Sequence, residues 1–252
     1  SGREAVWSMP ADALLSVRGI SKRFGGLLAL SSIGFDVAAG DIFGVIGPNG
    51  AGKTTLFSCL VGALVPTSGE IWFRGKRIDG LANHAAVKRG IVRTHQIVRP
   101  FRQMSVTENV AVAAHFGAGR RRGKEAVRRV SEILERTGLS SEAASPASAL
   151  TIGQLKRLEI ARALATEPHV ICLDEVMGGL NPAEIQGAMS LIRSIRDSGI
   201  TVLMIEHHVH AVVGVSNRIL VLNFGQKIAE GSPQTVLKDA AVITAYLGDE
   251  AK

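Results

Sequence analysis

One nine-residue run has residue types that can hold a phosphate. It reads GPNGAGKTT, from Gly47 to Thr55, and Gly47, Gly52, Lys53 and Thr54 satisfy the spacing G-x-x-x-x-G-K-[ST]. Glycines let successive backbone N–H groups curl around phosphate oxygens without Cβ clashes, and Pro48, Asn49, Gly50 and Ala51 supply the body of that curl. A helix that starts at the end of the run adds the positive end of its dipole. Lys53 then offers a point charge to the β and γ phosphates of a nucleotide. Thr54 offers a hydroxyl to Mg²⁺, and Thr55 reaches the α phosphate. This chemistry needs a buried strand before the loop and a helix after it. Asp41 to Ile46 is such an apolar strand, and TTLFSCL continues as a helix.

A second chemical pair closes the apolar stretch HVICLDEV. Asp174 at that strand end is placed to hold Mg²⁺ through its waters, and Glu175 to polarise an attacking water. Two adjacent acids can also be a solvated strand end, but beside a phosphate loop the catalytic reading prevails. A third segment, LTIGQLKRLEIARAL, runs from Leu150 to Leu164 as a polar turn feeding an amphipathic helix. Thr151 can cap that helix, yet Ile152 and Gly153 leave a bare backbone where stronger helix formers would serve better.

The elements that must position these groups follow from the hydrophobic pattern. Strands are expected at Leu14 to Val17, Ile33 to Val37 and Ile71 to Arg74, forming a small antiparallel sheet. Phe43 to Ile46, Ile91 to Thr94, Val170 to Leu173, Thr201 to Ile205 and Ile219 to Leu222 alternate with helices. That alternation implies a mostly parallel sheet covered on both faces. The stretch from Arg99 to Leu164 is rich in charge and helix formers and has no good strand. The tail, Pro233 to Leu247, reads as two short helices. Met9 is expected to be the native start, with Ser1 to Ser8 a leader outside the fold.

Composition narrows the function class. The chain has 252 residues, a formal net charge of +7 and two cysteines. It has no apolar run long enough to span a membrane. Cys59 and Cys172 lie in apolar stretches away from any metal-ligand partner, as in a reduced, cytosolic protein. The basic cluster GRRRGKEAVRRV reads as a solvated helix face with its preceding loop, with lipid head groups or an acidic partner as the alternatives. Its lack of aromatics argues against stacking on single strands, and no nucleic-acid partner is expected.

With these motifs together, the chain resembles the ATP-binding subunits of ABC transporters from Leu14 to Leu247. Gly47 to Thr55 matches the Walker A loop, and Asp174 with Glu175 the Walker B pair. LTIGQ is a variant of the signature LSGGQ. Gln96 in RTHQIVRPF sits at the Q-loop, Gly178 to Pro182 at the D-loop, and His207 in MIEHHV at the switch histidine. Phe24 stands where that family stacks an aromatic on adenine. The segments RTHQIVRPFRQMSVTENV, GGLNP and AYLG are most like the cassettes of branched-chain amino acid importers. Cassettes for urea or amide import or lipid or lipopolysaccharide export are the alternatives, with a soluble ABC ATPase acting on nucleic acid a further one.

The resemblance implies an α/β fold of the P-loop NTPase (RecA-like) type. Its parallel core carries a small antiparallel β subdomain, and the helical insert spans residues 97–165 within a cassette of residues 9–252. It implies ATP and Mg²⁺ as cofactors, with Thr54, Gln96 and Asp174 toward the metal and Lys53, Glu175, Gln96 and His207 in catalysis. Two chains, identical or homologous, would meet head to tail, so that Thr151, Gly153 and Gln154 of one face the γ-phosphate held by the other. Integral membrane permeases and a periplasmic solute-binding protein would complete the system on the cytoplasmic face of the inner membrane. Segment Ile97 to Met104 would line the groove for a permease helix. Four positions depart from the family pattern: Ile152 in the signature, Val176 after Glu175, Asn181 in the D-loop and His208 after the switch histidine. None removes a catalytic group.

Overall fold

The structure is a computed structural model that describes residues 13–94, 100–117 and 123–250. Two sheets organise it. Strands β1 (Ala13–Phe24) and β2 (Leu27–Ala38) form a long hairpin that extends with β4 (Ser68–Phe73) and β5 (Lys76–Arg77) into an antiparallel sheet of order β2-β1-β4-β5. The larger sheet holds β3 (Ile42–Ile46), β6 (Ile91–Arg93), β7 (Val170–Asp174), β8 (Thr201–Ile205), β9 (Arg218–Asn223) and β10 (Gln226–Gly231), in the order β10-β9-β3-β8-β7-β6. All its pairings are parallel except β9 with β10.

Side-chain alternation along these strands divides the interior in two. Ile42 and Ile46, Ile171 and Leu173, Val202 and Met204, and Ile219 and Val221 face one core. Their neighbours Phe43 and Val45, Val170 and Cys172, Leu203 and Ile205, and Leu220 and Leu222 face the other. A strand buried on both faces reads as a continuous apolar run for this reason. The second core is closed by the antiparallel sheet and α1 (Lys53–Leu60). The first is closed by α3 (Val106–Phe116), α4 (Gly123–Arg136), α5 (Ile152–Ala165), α6 (Pro182–Asp197) and α7 (Val209–Val215). A short α2 (Asn83–Lys88) precedes β6, and α8 (Pro233–Val236) and α9 (Ala240–Glu250) form the tail.

The expected elements are present, and the structure adds the short edge strand β5, a longer first hairpin and β10. The first hairpin runs further than the apolar alternation indicates, because the polar SKR stretch of β1 stays paired through register shifts up to Phe24 opposite Leu27. Strand β10, joined to β9 by Phe224 and Gly225, is not among the expected elements: QKIAEG has little apolar alternation, and its polar residues sit on the edge of the sheet. Between β6 and β7 the described residues are helical or irregular. The two cysteines are buried and unpaired, and burial pushes their thiols up to about 11 and about 12. Among the described residues no helix is long and apolar enough to cross a membrane. Of the basic cluster, residues 118–122 lie outside the described set. Arg128 and Arg129 pair with Glu132 on the solvent face of α4.

Candidate nucleotide site

The P-loop links the end of β3 to α1. Two of its glycines are fixed by contact. A Cβ on Gly47 would lie 2.1 Å from Leu222 O, and one on Gly52 would lie 2.6 Å from Ala29 O; both residues also have positive φ. The loop therefore nestles between β9 and β2 at a distance that only glycine permits. Gly52 caps α1 in the left-handed region, which aims the first turn of that helix into the loop's concave side. Lys53 is buried, and its Nζ donates to Gly47 O at 2.7 Å and Pro48 O at 2.9 Å. Burial pushes its ammonium below the ordinary value, against the pull of Glu175 and Asp174.

The acidic pair stands at the end of β7, next to β3's neighbour β8. Asp174 is wholly buried. Arg93, at the end of β6, holds its Oδ2 through both Nε and Nη2, and also donates from Nη1 to Ser58 Oγ of α1 at 2.8 Å. One guanidinium thus ties the P-loop helix to the acidic strand. Asp174 N donates to Thr94 Oγ1 at 3.1 Å, fixing the strand end further. Asp174 Oδ1 is buried without a hydrogen-bond partner. An orphaned carboxylate oxygen and the exposed hydroxyl-bearing Thr54 are a donor set that fits a hard divalent cation or its waters.

Glu175 has φ +50, a conformation that costs free energy in a non-glycine residue and that concentrates at functional sites. Three groups hold it there. Its N–H donates to Ile205 O at 2.9 Å, its carbonyl accepts Lys156 Nζ at 2.8 Å, and its Oε1 lies 2.7 Å from His207 Nε2. Glu206 supports the same loop from β8, accepting Met177 N–H at 2.8 Å. Burial, with Glu175 beside it, raises the Glu206 carboxyl to about 7. Val176 is buried under this loop, and Asn181 caps α6 in a reciprocal box with Glu184. Both departures from the family pattern therefore have structural work in this chain.

Lys53, Thr54, Thr55, Glu175, His207 and Phe24 line one cavity of about 420 Å³, together with Asn49 to Gly52, Leu27, Leu28, Ala29, Phe224 and Gly225. Phe24 is 45% exposed at the hairpin tip, with Lys22 Nζ 5.2 Å above its ring. Thr151, Gly153 and Gln154 do not line this cavity; they border a separate one of about 220 Å³. The start of α5 is less bare than its sequence indicates. Thr151 Oγ1 accepts Gln154 N–H and Gln154 Oε1 accepts Thr151 N–H, while Gln154 Nε2 donates to Glu142 Oε1 at 2.9 Å. The amides left without intrahelical acceptors are those of Ile152 and Gly153. A Cβ on Gly153 would meet Glu184 Oε1 at 2.7 Å, so any side chain there displaces the Glu184 carboxylate. Gln96 lies outside the described residues, as do Ile97 to Arg99. Downstream of them, buried Asn109 braces Pro100 to Ser105 by exchanging hydrogen bonds with both backbone groups of Phe101.

Residues 30–178 match the family model described as ABC transporter, and residues 226–252 match the model described as branched-chain amino acid ATP-binding cassette transporter. The chain belongs to the ABC transporter family. This ABC cassette is 42% identical over 253 residues to the high-affinity branched-chain amino acid transport ATP-binding protein LivG of Escherichia coli, covering 95% of this chain and 99% of that one. It is 41% identical over 250 residues to BraF of Pseudomonas aeruginosa, covering 94% and 98%. The ADP conformation of an ATP-binding cassette of an ABC transporter superposes with a TM-score of 0.86 at 32% identity, covering 94% of this cassette and 99% of that chain. Sequence spacing alone did not reveal that Arg93, Glu206 and Tyr246 support the candidate site from outside its cavity. Tyr246, on α9, receives a backbone hydrogen bond from Gly47 of the P-loop, and burial raises its phenol to about 12.

Proposed function

We propose that this chain is the ATP-hydrolysing subunit of an importer for branched-chain amino acids or closely related solutes. Two copies, or this chain and a homologous one, work on the cytoplasmic face of the inner membrane beneath integral permease subunits, fed by a periplasmic solute-binding protein. The observation that carries the catalytic part is the strained Glu175, with its carboxylate 2.7 Å from His207 in the cavity that contains Lys53. In this reading Lys53 leaves its loop carbonyls for the β and γ phosphates. Glu175 orients the attacking water, and His207 steadies the γ-phosphate. Thr54 and Asp174 would hold Mg²⁺, whose charge offsets that of the phosphates. Gln96 couples the nucleotide to the membrane subunits. Thr151 to Gln154 of the second chain completes the site, because they lie away from the P-loop of their own chain.

The solute rests on similarity, since the cassette does not touch it. LivG and BraF carry branched-chain amino acid transport in their names at 42% and 41% identity, while a lipopolysaccharide export relative of Acidithiobacillus ferridurans stands at 34%. The test is reconstitution with its co-purifying membrane subunits in vesicles. ATP-dependent uptake of a labelled branched-chain amino acid, lost with Glu175→Gln, is expected. Isolation without any integral membrane partner, or uptake indifferent to Glu175→Gln, overturns the reading.

A further inference from the structure

The connection from β9 to β10 is a two-residue turn with φ +45 at Phe224 and +74 at Gly225. Two positive φ values in a two-residue hairpin are what a type I′ turn demands, and its first position belongs to Asn, Asp or Gly. A bulky aromatic there is an outlier. Phe224 is also 85% exposed, the highest exposure among the large apolar side chains described. The position therefore carries two separate costs, backbone strain and wetted apolar surface, which Asn would remove.

The turn is fastened to the nucleotide site. Gly225 N–H donates to Ala51 O of the P-loop at 3.1 Å, and Gly225 O accepts Ser31 N–H of β2 at 2.8 Å. A Cβ on Gly225 would meet Ala29 O at 2.6 Å, so the turn sits tightly on β2. Phe224 is thereby held at one wall of the cavity that Phe24 and Lys53 also line.

We propose that Phe224 is a second aromatic surface for the nucleotide, contacting its base or ribose. The inference rests on reading this cavity as the nucleotide site. A phenyl ring offers no hydrogen bond to a phosphate and would strip water from its charge, so the triphosphate is excluded as its target. A base or ribose presents the flat or apolar faces that such a ring fits.

Phe224→Asn isolates this role because it gives the turn its preferred residue. Its melting temperature should equal or exceed that of the wild type. Affinity for ADP, measured by calorimetry on the isolated chain, should fall roughly 5- to 100-fold, the scale of one base–aromatic contact. Affinity for inorganic tripolyphosphate should not change, and Phe224→Tyr should retain ADP affinity. Unchanged ADP affinity in Phe224→Asn overturns the proposal. So does an equal loss for tripolyphosphate, which would mean that the substitution acts through the P-loop. If wild-type chain binds ADP no more tightly than tripolyphosphate, the cavity does not hold a base at all, and the underlying nucleotide reading fails with it.

Discussion

Glu175 and Glu206 directly follow the adjacent strands β7 and β8, and their carboxylates are placed for different tasks. Glu175 is partly open to the cavity beside His207. Replacing it by Gln keeps its shape and removes its charge; ADP affinity should hold while ATP turnover falls by about 10²–10⁴, as for loss of a positioned base. Equal turnover would remove Glu175 from its role. Glu206 is buried, with its carboxyl raised to about 7 from an ordinary 4.5. A raised acid makes the folded chain bind more protons than the unfolded one between those values. Stability is therefore full below the lower value and declines as pH rises through the upper one, by on the order of 3 kcal/mol. Glu206→Gln can still accept Met177 N–H and should flatten this decline in urea unfolding between mildly acidic and mildly alkaline pH; parallel curves for the two proteins would refute it. Lys53, Asp174 and Glu175 were legible in the sequence because their spacing is dictated by local backbone. Arg93 and Tyr246 were not, because their partners Asp174 and Gly47 are remote in the chain. Glu206 had a faint signal, an acid directly after the five-residue apolar strand TVLMI.

The start of α5 shows what an element adds to a motif. The sequence indicates an exposed helix end, and the family resemblance implies a glycine kept small for an approaching phosphate. The structure retains two unengaged amides but gives Thr151 and Gln154 structural duties as well, and seats the Glu184 carboxylate against Gly153. Thr151→Ala should then cost about 1 kcal/mol of stability through the lost cap, read by chemical denaturation. Gly153→Asp should act twice: it crowds Glu184 within its own chain, lowering the melting temperature, and it sets a carboxylate where a neighbour's γ-phosphate would come. Adding Glu184→Gln, which keeps an acceptor for Asn181 N–H and removes the like-charge contact, should recover part of the melting temperature without recovering ATP-driven dimerisation, followed by light scattering. If dimerisation returns too, the start of α5 has no part in a neighbour's site. The β9–β10 hairpin was illegible for a related reason. Its turn is Phe-Gly, which lacks the Asn, Asp or Gly by which the first position of such a turn is recognised.

At the scale of the whole molecule, the apolar runs and their alternation with helices were enough to read the parallel sheet, because burial on both faces leaves few other patterns for a strand. The same plan leaves the P-loop cavity and the start of α5 apart in one chain. Specific ATPase activity should therefore rise with protein concentration, and activity unchanged on dilution far below any dimerisation constant would place both halves of the site in one chain. Mixing Lys53→Ala with Gly153→Asp chains should restore some hydrolysis, since together they can assemble one intact site. The contact between α9 and the P-loop adds an optical handle. Tyr246 is the chain's single tyrosine, so the whole tyrosinate absorbance comes from a ring that abuts Gly47. Docked, it should ionise at about 12; lifted away, it should return toward 10, the ordinary value. Alkaline difference spectra with and without ADP would then report whether loading the P-loop moves the tail, with no label attached.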